Sequence, residues 1–245
     1  MTYPVIIGGN GHSGTRIFAE VLAKAGVSMG ISRVTRSSAF DLNIRGLLQR
    51  WVGHYLHRQL SDADLAKMRL EFAIRLRLYF PLRFSPWGFK NPRSMLILPF
   101  YAQMFPRMKF IHVIRDGRDV TLGNELAGNE DYISAFTEPA EATLSAEERM
   151  ITFWGRSNTM AQHYGEEHLG DRYLRVRFED LCNRPHEHVP EILKFAGLPS
   201  KRPDAIIGLV KRPASIGRWR GFEPAVVQRV ESAGRLWLSH FGYQS

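Results

Sequence analysis

Tyr3-Pro4-Val5-Ile6-Ile7-Gly8-Gly9-Asn10-Gly11-His12-Ser13-Gly14-Thr15-Arg16 reads as a strand running into a glycine-rich turn. Residues 3–8 are an apolar run ending in glycine, the pattern of a short buried strand. Ile17, Phe18, Val21, Leu22 and Ala25 then recur at helical spacing, and Gly26 ends that helix.

The same succession recurs along the chain. Trp87-Gly88-Phe89-Lys90 is a short strand, and Asn91-Pro92 opens a helix through about Phe105. Lys109-Phe110-Ile111-His112-Val113-Ile114 is a strand ending at Arg115-Asp116-Gly117-Arg118-Asp119, where another helix begins. Tyr173-Leu174-Arg175-Val176-Arg177 alternates as a strand should, and residues 186–197 form a helix closing at Gly197. Residues 146–164 are helical with Met150, Phe153 and Trp154 inward, and a basic loop and a final helix complete the chain. Residues 27–44 show no clear period and read as loop, as does the acidic stretch 128–145. Two helices lie between 45 and 85; Leu65, Met68, Phe72, Leu76 and Tyr79 share one face of the second, and Pro81 stops it. Strands alternating with helices predict an α/β, three-layer fold. Its mainly parallel central sheet carries helices on both faces, with a helical insertion over about 45–85 in a single domain, 1–245. Ligands in such folds sit beyond the carboxyl ends of the strands. Both anion-suited turns, after Gly8 and after Ile114, belong there.

The 245 residues are 44% hydrophobic, enough for a sizeable core. No apolar run approaches the roughly 18 to 20 residues of a membrane span, and no signal peptide is read at the start, so the expected compartment is the cytoplasm. Cys182 is the one cysteine, which excludes an intramolecular disulfide and a cysteine-based zinc site. The net charge is +9, carried by 26 arginines and 7 lysines. The planar arginine fork suits phosphate and sulfate.

In the first turn, glycines let successive backbone N–H groups point inward around an anion, and the helix start adds partial positive charge. Ser13 and Thr15 add hydroxyl donors, and Arg16 adds a formal charge. A nucleoside triphosphatase loop needs a Lys-Ser or Lys-Thr pair after its second glycine; here Gly14 is followed by Thr15-Arg16. Gly9, Gly11 and Gly14 fit a dinucleotide string, but no acidic residue follows a second strand at the usual distance. At the second turn, Arg115 can bind an anion bidentately or pair with Asp116 or Asp119. Lys211-Arg212-Pro213-Ala214-Ser215-Ile216-Gly217-Arg218-Trp219-Arg220 joins cations to a ring, which suits a nucleotide.

These stretches together resemble the sulfotransferase family, from about residue 4 to 222. The family's first loop reads Lys or Arg, then Ser-Gly-Thr-Thr, and is similar to His12-Ser13-Gly14-Thr15-Arg16. His12 stands where the family has its cation, and Arg16 where it has the second threonine. The resemblance implies that Gly11, His12, Ser13, Gly14, Thr15 and Arg16 hold the 5′-phosphosulfate of 3′-phosphoadenosine 5′-phosphosulfate (PAPS), without a metal. It implies that Arg115 binds the donor's 3′-phosphate. Gly123 takes the position of a family serine, and Arg212, Gly217, Arg218 and Trp219 form the closing loop. Lys90, in Phe89-Lys90-Asn91-Pro92-Arg93, is similar to a family lysine that assists the transferring group, and Arg93 is a further candidate ligand. The expected catalytic set is Lys90, Asp41, His12 and Arg16, with Asp41 as general base and His54, His57 and Glu71 as alternatives. The implied reaction is sulfuryl transfer from PAPS to a hydroxyl or amine acceptor whose class, carbohydrate, lipid, peptide or phenol, stays open. Two other readings remain: a nucleotide-dependent kinase using the same cradle, and a non-catalytic protein binding anions or nucleic acid through its charge. Nucleic acid is not the expected partner.

Overall fold

The computed structural model describes residues 3–30, 39–80, 86–123, 130–198 and 203–243. Four parallel strands, β1 (Pro4–Gly9), β2 (Trp87–Lys90), β3 (Lys109–Ile114) and β4 (Tyr173–Arg177), pair in the order β2-β1-β3-β4. The register aligns Ile7 with Lys90 on one side and with Ile111 on the other. The carboxyl ends of β1, β2 and β3 therefore open onto one edge, and the turns after them share it.

Eleven α-helices surround the sheet among the described residues. They are α1 (Thr15–Lys24), α2 (Ala39–Leu56), α3 (Asp62–Tyr79), α4 (Leu98–Met104), α5 (Gly117–Leu122), α6 (Glu130–Ser134), α7 (Ala146–Tyr164), α8 (Phe178–Asn183), α9 (Pro185–Ala196), α10 (Pro203–Ile207) and α11 (Pro224–His240). Side-chain alternation along the strands assigns them to two faces. Val5, Ile7, Ile111 and Val113 pack with Phe18, Leu22, Leu181, Ile192 and Ile206, from α1, α8, α9 and α10. Ile6, Phe110 and Ile114 face the opposite way, toward α2, α3, α4, α7 and α11. A parallel sheet buried on both faces needs near-continuous apolar strands, and β1 is buried from end to end.

The α2–α3 pair is anchored to the sheet by aromatic rings. Phe40 meets Phe89 of β2 edge-on at 5.1 Å and Phe72 of α3 at 5.7 Å between centroids. Such pairs add about 0.5–1.5 kcal/mol each beyond area burial. Met68, Phe72 and Leu76 are buried as their spacing requires, whereas Tyr79 is exposed at the helix end.

Three stretches differ from the sequence expectation. Helix α2 begins at residue 39, inside the stretch read as loop. Phe40 and Ile44 extend the helical period of Leu47 and Leu48 upstream of residue 45, hidden by the polar run before them. Residues 31–38 lie outside the described residues. In the stretch read as an acidic loop, α6 and a 3₁₀ turn over Pro139–Glu141 form. Arg156 of α7 grips Glu141 with two hydrogen bonds of 2.7 Å, so the acidic character is spent on tethering. The helix opened by Asn91-Pro92 starts as a 3₁₀ turn, Pro92–Ile97, capped by the Asn91 side chain on the Arg93 N–H, and continues as α4.

Candidate active site

The turn after β1 is held by its own backbone and by the residues beneath it. The Ser13 N–H donates to the Asn10 carbonyl at 3.2 Å, and that of Ile17 to Gly14 at 3.3 Å. Gly14 sits at φ 79°, and a β-carbon there would run into the Phe178 ring, so backbone and packing both demand glycine. His12 takes φ 64°, a left-handed conformation uncommon outside glycine. The first N–H groups of α1 have no intrahelical acceptor and open onto this turn. Thr15 is buried at the helix start, and Arg16 is exposed next to it.

His12 was a candidate cation. Partial desolvation, then the guanidinium charges of Arg218 and Arg115, hold its imidazole below the ordinary value. It is neutral at physiological pH, and the formal charge at this loop comes from the arginines.

Beneath the turn runs a buried polar chain that the sequence reading missed. Asn10 donates to Ser157 Oγ at 3.0 Å and accepts from Asn158 Nδ2 at 3.4 Å. Asn158 Nδ2 also donates to the Trp154 carbonyl at 2.8 Å, which fixes the orientation of its amide. Its Oδ1 therefore faces His112 Nε2, at 2.9 Å. His112 is fully buried, and burial pushes its imidazole down to about 4. It is neutral, carries its proton on Nε2 toward Asn158, and accepts the Tyr173 hydroxyl at Nδ1, 2.6 Å away. The signal was a histidine on the core-facing side of β3, between Phe110 and Ile114.

The turn after β3 is built from charges. Arg115 is buried, and its guanidinium donates to the His12 carbonyl at 3.1 Å, to Asp119 Oδ2 at 3.2 Å, and to the Ser215 carbonyl. The ion pair with Asp119 was the alternative role for Arg115; here it coexists with the link to the first loop. Asp119 also accepts the N–H groups of Gly217 at 2.8 Å and Trp219 at 3.1 Å. The Asp119 carbonyl accepts Arg218 Nε at 3.1 Å and Nη2 at 2.6 Å. One buried aspartate thus staples the C-terminal loop over the β3 turn. Trp219 lies half-buried between the guanidinium groups of Arg118, 3.9 Å away, and Arg220, 4.4 Å. Arg118 is held in turn by Asp116 and Glu231.

The sequence candidates do not all converge here. Arg212 is exposed and donates to Asn183 Oδ1 at 3.2 Å. Gly123 ends α5 and lies directly under the Arg218 guanidinium. Arg93 stacks over the Tyr132 ring at 4.9 Å.

Lys90 and Asp41 are brought together. Lys90 is buried at the carboxyl end of β2, and its Nζ lies 2.6 Å from Asp41 Oδ2. Asp41 Oδ1 accepts from Asn91 Nδ2, and the Asn91 N–H donates to the Ile7 carbonyl at 3.1 Å, tying the pair to β1. Lys90 is buried rather than on the surface, and Asp41 lies in the first turn of α2. Phe40 places it there by burying its ring against β2. The alternative bases are engaged elsewhere: His54 with Gln59, His57 with Ser134, and Glu71 with Trp51 and Arg50.

Ser13 Oγ and Arg115 Nε are buried without a hydrogen-bond partner in the protein. Buried polar atoms are rarely left so. Both lie where the two turns meet, and an oxyanion there would satisfy them.

Comparison with known proteins bears on the family and the fold. The model of the sulfotransferase family matches residues 4–202. Protein-tyrosine sulfotransferase 1 of Danio rerio is 31% identical over 178 residues, covering 63% of this chain and 47% of that protein. A Drosophila melanogaster protein-tyrosine sulfotransferase is 24% identical over 110 residues, covering 45% and 20%. The chain thus spans less than half the length of these curated relatives. Among solved structures, the sulfotransferase domain of the Synechococcus PCC 7002 olefin synthase is similar at a TM-score of 0.57 and 19% identity, covering 100% of this chain and 97% of that one. A Mycobacterium avium sulfotransferase reaches a TM-score of 0.61 at 12% identity, covering 99% and 78%. A mouse sulfotransferase complexed with PAP reaches 0.55 at 12%, covering 99% and 89%. The fold is that of these enzymes, and the chain belongs to the sulfotransferase family.

Proposed function

We propose that this chain transfers a sulfuryl group from PAPS to a hydroxyl or amine acceptor. The observation that carries the reading is the reach of Arg115 from the end of β3 to the His12 carbonyl in the turn after β1. It joins two anion-suited turns into one site, as a nucleotide with phosphates at both its 3′ and 5′ positions requires. The mouse neighbour's complex with PAP, 3′-phosphoadenosine 5′-phosphate, supports the same ligand class.

When bound, the donor supplies the sulfuryl group and a bisphosphate leaving group. The turn over residues 11–15 holds the 5′-phosphate through backbone N–H groups, Ser13 Oγ and the start of α1, with Arg16 beside it. Arg115 and the C-terminal loop around Gly217, Arg218 and Trp219 hold the 3′-phosphate. Lys90 presents a buried ammonium at the sheet edge, where negative charge develops during transfer. Asp41, within hydrogen-bond reach of Lys90, takes the acceptor's proton at Oδ2 as Lys90 turns from it toward the transferring group. Fixing both groups on β2 and α2 pre-sets their geometry. The Danio rerio relative is a protein-tyrosine sulfotransferase by name, so a phenolic hydroxyl is the first acceptor to test. Cys182 is a free, buried thiol. No helix among the described residues is long and apolar enough to cross a membrane.

Calorimetric titration with 3′-phosphoadenosine 5′-phosphate tests the reading, against adenosine 5′-phosphate and ATP with magnesium. Preference for the bisphosphate, independent of magnesium and lost in Arg115→Ala, is the expected result. Binding of ATP-magnesium with no binding of the bisphosphate would overturn it.

A further inference from the structure

Helix α3 is apolar on two sides. Met68, Phe72 and Leu76 face the core, while Leu70, Ile74 and Leu78 recur one turn apart on the opposite face and are 62%, 52% and 72% exposed. Of the seven large hydrophobic side chains exposed among the described residues, these three and Tyr79 make four, so the exposed apolar surface is concentrated on this helix. The flanks of α3 are already occupied. On one side Trp51 Nε1 of α2 donates to Glu71 Oε2 at 3.3 Å, Arg50 pairs with the same carboxylate, and Lys67 lies over the Trp51 ring. On the other, Arg69 donates to Gln103 of α4. Leu70 therefore points outward from the middle of the helix, with Ala63, Ala66 and Ala73 exposed beside it. A helix that is apolar all round belongs in a buried setting, and a contiguous exposed apolar row marks an interaction surface.

The charges on this face say what covers it. Asp62 opens the helix and Arg77 stands in its last turn; both are exposed, and neither makes an ion pair among the described residues. They lie eight residues before and seven after Leu70, so each is about 10–12 Å from it along the axis. A two-fold axis through Leu70 sets a second α3 antiparallel to the first and brings each Arg77 to the Asp62 of the other chain. The result is one apolar seam with an ion pair at either end. The helix macrodipoles favour the same direction, whereas a parallel pair would set Arg77 beside Arg77. Interaxial distance follows side-chain size at the contact, so the three alanines let the helices approach until Leu70, Ile74 and Leu78 interdigitate. An anionic lipid surface fits this face less well. Asp62 stands on it, and the cations Lys67, Arg69 and Arg75 are turned to Trp51, to Gln103 and to the Glu71 carbonyl.

We propose that the outer face of α3 is a homodimer interface, in which two copies of this chain pair their α3 helices antiparallel about Leu70 with Arg77 of each on Asp62 of the other. Such a surface is isologous, as a two-fold dimer requires: the same patch meets itself, and its two ends carry opposite charge. One helix face is a small interface, so the dimer is weak, with a dissociation constant of about 1–100 µM. The proposal stands independently of the sulfotransferase reading, because no residue of the donor site takes part in it.

The test is sedimentation velocity over a concentration series spanning that range, about 1–200 µM. The parent is expected to pass from monomer to dimer, and Leu70→Glu to stay monomeric. Arg77→Asp and Asp62→Arg each set like charges against one another at both ends of the seam, and each should weaken self-association roughly tenfold or more. Mixed in equal amounts, these two variants should associate again, because every arginine then meets an aspartate across the seam. That recovery also shows that the single variants are folded, since a misfolded chain would not regain a partner. A parent that is monomeric across the series, a dimer that charge reversal leaves intact, or a mixture that fails to associate overturns the proposal. Binding of a monomeric parent to vesicles of phosphatidylserine and phosphatidylcholine, lost in Leu70→Glu, would overturn it by giving the face to a membrane.

Discussion

The turns after β1 and β3 face the same sheet edge, where the proposed donor would lie, and they are built of opposite materials. The first is built from backbone N–H groups and small residues, and its one imidazole is neutral. It is braced from below by Asn10, Ser157, Asn158, His112 and Tyr173, none of them charged. The second is built from ions. Arg115, Asp119, Arg118 and Asp116 are buried there, and the C-terminal loop is laid across them. The difference shows how each is kept in shape. A backbone cradle needs a rigid floor, because its donors cannot move independently. A cluster of guanidinium groups needs counter-charge and a cover, because unpaired ions do not stay buried.

Arg115→Ala breaks the second turn hardest. It leaves Asp119 buried with two N–H donors but no cation, and frees the His12 and Ser215 carbonyls. Removing one partner of a buried pair costs about 3–5 kcal/mol. With Gly217 and Trp219 still donating to Asp119, the expected loss is at the lower end, about 3 kcal/mol, read as a fall in the urea midpoint. A loss under about 1 kcal/mol would mean that the charged turn is held by its cover alone. The matching break in the first turn is Gly14→Ala. It combines left-handed strain with overlap on the Phe178 ring, for about 2–4 kcal/mol together, measured in the same way. Because Phe178 also stacks under Arg115, at 5.3 Å, part of that loss should disappear when Arg115 is already alanine.

How much of this was legible in the sequence follows the range of the interactions. Strands β1 and β3 and helix α7 carry clean periods between glycine and proline punctuation, and the sequence reading located them within a residue or two. The start of α2 was hidden, because Phe40 and Ile44 follow a polar stretch and only their contact with Phe89 shows that they face the sheet. The first turn was legible as a glycine-rich strand-to-helix turn because its residues are local: the glycines, Ser13 and Thr15 are neighbours in the chain. The second was half legible. Arg115 stands out at the end of a strand, but Arg212 and Arg218 look equivalent in sequence. What separates them is Asp119, nearly a hundred residues away, which tethers one side of the loop. The buried floor shows in sequence as polar residues at core-facing positions of β3 and α7. Which of them pair is a property of the folded layers.

That neutral floor makes a pH prediction. The folded value of His112, about 4, lies below the roughly 6.5 of an unfolded histidine, so the unfolded chain takes up the proton first. The contribution is therefore fully present above about pH 6.5 and is lost as the pH falls toward 4, to the extent of about 3 kcal/mol. The titrating carboxylates add their own slope, so the measurement is a difference. Urea midpoints at pH 7 and pH 4.5 are compared for the parent and His112→Gln, which keeps a neutral side chain in the chain of hydrogen bonds. The parent should lose more stability than the variant over that interval. Equal losses would mean that His112 reaches a proton acceptor or water, and that the floor of the first turn is not sealed.

The smallest effect is expected at His12, and it bears most directly on the contrast between the turns. If charge in the first turn came from this imidazole, bisphosphate affinity would rise steeply as the pH falls below 7, and His12→Ala would abolish the rise. With desolvation, Arg218 and Arg115 all disfavouring its protonated form, His12 contributes its backbone carbonyl to Arg115 and at most a neutral hydrogen bond from its ring. His12→Ala keeps the carbonyl, so titration at pH 7.5 should show a loss of less than about fivefold, the scale of one neutral hydrogen bond. The pH dependence of binding between 6.5 and 8 should be the same in the parent and the variant, set by the ligand's own phosphate ionisation. A bound anion opposes the two arginines and draws the imidazole back upward, so this is the one place where ligand and loop could change each other's protonation. A parent curve that steepens relative to His12→Ala as the pH drops would reveal that coupling. It would make the first turn a partly ionic site, closer to the second than its unliganded geometry implies.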